Sequence, residues 1–427
     1  MNAINSSGPD SFKSSDAFQK MLSGHIEPVR VALPYQIGLI VVACAMIMLP
    51  VLYVGLIAAT GYAVYSHALS PEWITGNVTS GRVSFSLYLG PIIMGVIMVV
   101  FMLKPLFSRA SLEREALSLT AENEPGLYNF VSNLCRFVGA PVPREIEVGL
   151  DVNASAGFRG GMLSMFRAND LSLHIGLPLA AGINLNQLTG VLAHEFGHFS
   201  QGTAMRMTYV IRSINAWFAR VVFERDGLDD ALEEHSKNQG VLLMAILMGA
   251  RAMVFTARQL LKALMYTGGA ISCYMMRQME YDADLYGVRV VGNTEYDKLP
   301  ERIMYLSMAA DKMSADLNRV FLEGRLVDDI PGLIAANECR MPDDVRLRYK
   351  EHIASEESGL LNTHPSPSER LANTNEERCD GAINLNMPAT VLFRDFEELC
   401  RLASHEHYKV CIEPDPSELE LISVAEL

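Results

Sequence analysis

Charge is what this sequence is short of. Asp, Glu, Lys and Arg make up 20% of its 427 residues, against about 25% in ordinary soluble domains. Basic residues are the scarcer kind: 35 Lys and Arg face 49 Asp and Glu, a net charge of −14. A nucleic-acid binder carries a basic footprint, so that class is excluded. Cysteine pairing is the next absence. The seven cysteines are scattered and form no CxxC pair, which argues against a disulfide framework and against a cysteine zinc site. Their odd number points to a reducing compartment. Disorder is excluded by the apolar share, 50% and with glycine roughly 57%, above the ~45–50% of soluble domains. Such an excess suggests apolar surface that faces lipid.

The long apolar runs lie where charge is missing. No charged residue occurs from Gln36 to Tyr65, a run of thirty, and ~20 apolar residues suffice to cross a bilayer. Pro50 in its middle would kink a helix, which neighbouring packing tolerates in a membrane. A second uncharged run, 83–103, is bounded by Arg82 and Lys104. Together the runs predict an N-terminal transmembrane hairpin over 36–107, preceded by a flexible segment, 1–35. Lys13, Lys20 and Arg30 stand before the first run, and Lys104, Arg109 and Arg114 after the second. The linker between the runs holds Arg82 alone. By the positive-inside rule both outer ends, and the chain that follows, face the cytoplasm.

Beyond the hairpin the periodicities alternate between helix and strand. Leu127, Phe130, Val131, Leu134, Cys135 and Val138 recur at helical spacing, and Gly139 and Pro141 stop that helix. Ile146, Val148 and Leu150 alternate with polar or small residues, as do Leu171, Leu173, Ile175 and Leu177. Both stretches read as strands, and Gly160-Gly161 suggests a turn between them. Asn186 is a candidate cap for a helix carrying Leu188, Val191, Leu192, Phe196 and Phe199. Residues 241–276 read as a long apolar helix with Arg251, Arg258 and Lys262 on one face. That helix either lies at the lipid surface or is a core helix exposing one cationic face, with a third membrane span as a weaker alternative. The expected architecture is a mainly α domain with a small β-sheet over 108–375, with 241–276 as an apolar helical insertion. An acidic C-terminal segment, 376–427, follows it.

The chemistry is concentrated in His194-Glu195-Phe196-Gly197-His198. On a helix, the i, i+4 spacing puts both imidazoles on one face, where they can grip one metal ion. Glu195 can then reach a water at that ion. A zinc site of this type needs a third protein ligand and keeps one position open. Glu280 and Asp284, in Glu280-Tyr281-Asp282-Ala283-Asp284, lie one turn apart on a helix expected to end near Gly292. Glu280 is the candidate ligand, and Asp284 the group that accepts a hydrogen bond from a ligand histidine. His174 and His235 are rivals for the third position, but one sits mid-strand and the other in a charged, loop-like stretch.

HEFGH, a distant EYDAD, a hairpin ahead of them and Thr363-His364-Pro365 behind resemble the HtpX and CAAX prenyl endopeptidase group of membrane zinc metallopeptidases. The resemblance covers roughly Pro141 to Leu371 plus the hairpin. It implies an α+β zincin-type domain, one Zn²⁺ held by His194, His198 and Glu280, and Glu195 as the catalytic base. It also places Asn153 and Ala154 on a strand flanking the bound peptide, and His364 and Arg370 beside the reacting carbonyl. The substrates it implies are polypeptides, among them unfolded or misassembled membrane proteins, and the location it implies is the bacterial inner membrane. Two other readings stay open: a non-catalytic zinc-bound membrane scaffold, and a protease that processes one class of precursor. Glu195 argues against the scaffold, because a structural site needs no base.

Overall fold

In the computed structural model, the described residues are 24–29, 32–70, 81–107, 116–159, 170–200, 203–223, 241–356, 358–359, 362, 364–412, 416 and 419–427. Lys13, Lys20, Arg30, Arg109, Arg114, the Gly160-Gly161 turn, His235, Thr363 and the side chains of Arg82 and Arg251 lie outside them.

The first two elements among the described residues are long helices, α1 (Leu33–Ala68) and α2 (Gly81–Phe107). Strand β1 (Leu117–Leu119), helix α3 (Pro125–Val138) and strands β2 (Glu145–Gly149), β3 (Ala154–Phe158) and β4 (Leu171–Gly176) follow. Then come α4 (Leu177–Gly182), α5 (Leu185–Ser200), α6 (Thr203–Phe223), the 51-residue α7 (Val241–Val291) and the short α8 (Asn293–Tyr296). The remainder is α9 (Leu299–Leu322), β5 (Arg325–Val327), α10 (Ile330–Cys339), α11 (Asp343–Ser355), α12 (Pro367–Thr374), α13 (Phe396–Cys411) and β6 (Glu420–Ile422). The fold is mainly α with small sheets.

These elements divide into two compact units. One gathers α1, α2, α6 and the part of α7 up to Met275. Helix α1 buries a helical stripe, Leu39, Ala43, Met46, Leu49, Tyr53 and Ile57, because its neighbours meet it there. The Tyr53 hydroxyl donates to the Met102 carbonyl at 2.9 Å, and its ring meets Trp217 edge-on. Gly268 of α7 lies so close that a Cβ would touch Met46 and Leu49. Away from the stripe, Ile37, Ile40, Val41, Ile47, Met48, Val51, Leu52 and Val54 are all exposed. A soluble monomer rarely shows so large an apolar surface. Among the described residues, α1 is the one helix whose length and composition suffice to cross a membrane. Arg258 and Lys262 lie on α7, which continues without a break from the apolar stretch to Val291.

The other unit contains the rest. Its four-stranded sheet has the order β1-β2-β4-β3. β2 and β4 run parallel, and β1 and β3 pair antiparallel on the two flanks. The alternation read around Ile146 and Leu173 is β2 and β4, whose inward residues Ile146, Val148, Leu173 and Ile175 are buried. They share one core with Leu127, Phe130 and Leu134 of α3 and Leu188, Leu192 and Phe196 of α5. Helix α3 stops at Gly139, whose φ of 81° is the left-handed conformation glycine supplies cheaply.

One local expectation is corrected. Asn186 lies inside α5 and does not cap it. The cap is Asn184, whose side-chain oxygen accepts the Gln187 N–H at 2.8 Å. Asn186 instead points across the core, where its carbonyl oxygen accepts the Leu385 N–H. The shift of two residues follows from the short helix–helix connection, since α4 already occupies the chain to Gly182.

Residues 24–29 and the C-terminal segment both pack on this unit. Ile26 is buried, and its N–H donates to the Phe137 carbonyl at 3.1 Å. In the acidic segment, Phe393, Leu399, Cys400, Ala403 and Tyr408 join the main core, and β6 pairs in parallel with β5.

Candidate metal centre

Helix α5 carries His194 and His198 on its buried face, with 8% and 6% of their surfaces exposed. Apolar residues at three- and four-residue intervals pin that face to the core, so the imidazoles are aimed inward together. Their rings meet edge-on with centroids 4.8 Å apart. Glycine at 197 lets α7 approach closely: a Cβ there would stand 2.8 Å from the Tyr286 ring. Helix α7 thereby brings Glu280 to the two histidines. One ligating atom from each of His194, His198 and Glu280 lies within 4.8 Å of the others. Helix α7 ends at Val291, where Gly292 takes a φ of 81°.

The carboxylates in this cluster are ionised against the pull of burial. Burial acts to raise Glu280, yet hydrogen bonds to His194 and His364 hold it well below the ordinary carboxylate range. Asp284 is fully buried and also lowered, chiefly by the Arg370 charge and by His194. Burial acts to lower His194, but its hydrogen bonds to Asp284 and Glu280 prevail and push it up to about 9. Two buried carboxylates thus lie against two imidazoles and one guanidinium. Two imidazoles and a carboxylate are the donor set that zinc takes in an open site. The residues present fit a metal ion.

Around the ligand-capable atoms the partners are specific. His194 Nδ1 lies 2.9 Å from Asp284 Oδ1, while its Nε2 lies 3.5 Å from Glu280 Oε2. Arg370 donates from Nε to Asp284 Oδ2 at 2.9 Å and from Nη2 to Oδ1. Its helix, α12, starts with a capping box between Ser366 and Glu369, which sets the direction in which Arg370 leaves the backbone. His364 is exposed at the mouth, with Nδ1 3.4 Å from Glu280 Oε1. Glu195 Oε2 accepts the Ala156 N–H of β3 at 3.2 Å. Asn153 and Ala154 border the same cleft, about 380 Å³ in volume. The rival His174 is elsewhere, 2.6 Å from Asp151 in the sheet.

Two participants escape a reading of the sequence. The Tyr296 hydroxyl donates to Asp284 Oδ1 at 2.8 Å and lies 3.1 Å from His194 Nδ1. Nothing in Asn293-Thr294-Glu295-Tyr296 announces this. Only the reversal of the chain at Gly292 hints that the segment returns to α5. The Ala156 N–H is likewise invisible, since a main-chain donor has no residue signature.

Residues 123–378, more than half of the chain, match Peptidase family M48. The chain belongs to that family. Every residue of the cluster and cleft described above falls inside the matched range. A Protease HtpX homolog from Pelotomaculum thermopropionicum is 26% identical over 286 residues, covering 63% of this chain and 84% of that protein. No solved structure matches the chain. The resemblance read from HEFGH, EYDAD and the His-Pro pair is borne out, as is a mainly α fold with small sheets. An M48 member is a metallopeptidase, and its chemistry is peptide-bond hydrolysis.

Proposed function

We propose that the chain is a zinc-dependent endopeptidase anchored in a membrane, with His194, His198 and Glu280 as the ligands. The observation that carries this reading is the convergence of those three side chains beside Glu195 and an open cleft. When bound, zinc supplies Lewis acidity toward water and toward a carbonyl oxygen. Glu195, oriented by the Ala156 N–H, takes the proton of the attacking water and passes it to the leaving nitrogen. His364 and Arg370 offer hydrogen bonds to the negative charge that develops on the carbonyl oxygen. Asp284 keeps the His194 ring oriented through Nδ1, with Tyr296 and Arg370 holding the carboxylate in turn. Asn153 immediately precedes β3 and Ala154 begins it. β3 is the last strand in the order of the four-stranded sheet, and a strand in that place can pair with an extended peptide.

The test is metal dependence. Full-length protein in detergent should cleave an unfolded substrate such as casein, stop when a chelator strips it, and resume with about one equivalent of zinc. Cleavage that survives complete metal removal would sink the proposal.

The substrates this reading favours are unfolded or misassembled membrane proteins, with the active site in the cytoplasm. Support comes from the Lys and Arg bias at the outer ends of the hairpin and from the exposed apolar surface of α1. In a cysteine-free background, Ser80→Cys should react with a membrane-impermeant thiol reagent on intact cells. Ser368→Cys should react only after the membrane is opened. The reverse pattern would place the active site on the other side.

A further inference from the structure

His364 stands at the mouth of the metal centre, where packing does little to fix its side chain. That side chain is 62% exposed, and it meets the cluster through Nδ1, 3.4 Å from Glu280 Oε1. The position of the imidazole is therefore set by the main chain that carries it. This stretch of chain connects α11 to α12, and Ser358 ties its two sides together. The half-buried Ser358 hydroxyl accepts the Ser366 N–H at 2.6 Å and donates to Glu369 Oε2. The His364 carbonyl lies 3.5 Å from the same hydroxyl. Helix α12 does not depend on this tie. Its capping box keeps Ser366 Oγ on the Glu369 N–H and Glu369 Oε2 on the Ser366 N–H without help from Ser358. Arg370 is held separately by Asp284 through two hydrogen bonds. Removing the Ser358 hydroxyl thus loosens the chain that leads to His364 while α12 stays capped.

We propose that Ser358 is a positioning residue whose hydroxyl anchors the main chain at His364 and so aims the imidazole at the reacting carbonyl. The proposal rests on the endopeptidase reading, in which His364 meets the charge that develops on that carbonyl oxygen. An exposed side chain gains precision only from a fixed backbone, and misplacing a reacting group by about 1 Å can cost ~100-fold in rate. Ser358 lies six residues before His364 and outside the His-Pro pair, so its part becomes visible only where the folded chain brings it against Ser366 and Glu369.

A double-mutant cycle provides the test, run with full-length zinc-loaded protein in detergent. The substrate is a fluorogenic peptide spanning a bond that the protein cuts in casein. Ser358→Ala should lower kcat and kcat/KM together by ~10–100-fold, the pattern of an interaction lost in the transition state alone. Ser358→Thr, which keeps the hydroxyl, should retain most of the wild-type kcat. His364→Ala should cost ~10²–10³-fold, as for the loss of one donor to an oxyanion, and leave measurable cleavage. In that background Ser358→Ala should change kcat by less than about twofold, because two residues that act through one group are not additive. Zinc per chain should equal wild type in every variant. A Ser358→Ala effect that persists without His364, or zinc lost from Ser358→Ala, makes the hydroxyl structural and overturns the proposal. Wild-type kcat in either single alanine variant overturns it too. No cleavage by wild type overturns the endopeptidase reading itself.

Discussion

Glu195→Gln is expected to leave fold and zinc content unchanged and to lower hydrolysis of an unfolded substrate by ~10²–10⁴-fold, the usual contribution of a positioned acid–base group. The substitution is close to isosteric. The amide oxygen can still accept the Ala156 N–H that now meets Glu195 Oε2 at 3.2 Å, so the side chain keeps its place against β3. What it loses is the ability to take a proton. Glu195 is also not among the three converging ligand candidates, so the metal has no reason to leave. Zinc measured per chain alongside casein cleavage separates the two effects. Equal activity in variant and wild type would favour a non-catalytic scaffold, for which the glutamate is dispensable.

The second large effect is on metal affinity, and it should be graded. His194→Ala, His198→Ala and Glu280→Ala should each lose most of the bound zinc, because a site with three protein ligands cannot spare one. Asp284→Asn should weaken binding without abolishing it, by the ~10–100-fold typical of groups that orient a ligand. The reason for the smaller effect is its position: Asp284 touches His194 through Nδ1 at 2.9 Å, on the side of the ring away from Glu280. Competition with a chromophoric chelator gives the affinities of all four variants. Full zinc in Glu280→Ala would remove it as the third ligand, and unchanged affinity in Asp284→Asn would reduce that residue to packing.

What could be read in advance was whatever a few consecutive residues encode. The spacing in HEFGH puts two imidazoles on one face of any helix, since four residues make about one turn. Alternation in Ile146–Leu150 and Leu171–Leu177 identifies β2 and β4 for the same reason, with a period of two. The pair at 280 and 284 follows the helix period as well, and the glycine at 292 marks where α7 stops. Apolar length identifies α1, because the thickness of a bilayer is itself a local ruler.

Convergence was another matter. Glu280 reaches His194 only because α7 crosses α5 at Gly197, against Tyr286. That crossing depends on packing between distant segments, which no local period reports. Tyr296 enters the site through the chain reversal after Gly292, and Asn184 rather than Asn186 caps α5 because of where α4 ends. The Ala156 N–H meets Glu195 because β3 lies at the flank of the sheet. The sequence alone named the groups proposed to carry the chemistry and the helices that bear them. Their meeting in one buried place, with the anions matched by Arg370 and an open cleft alongside, arose from the folded core, where contacts between distant segments set distances that spacing along the chain does not constrain.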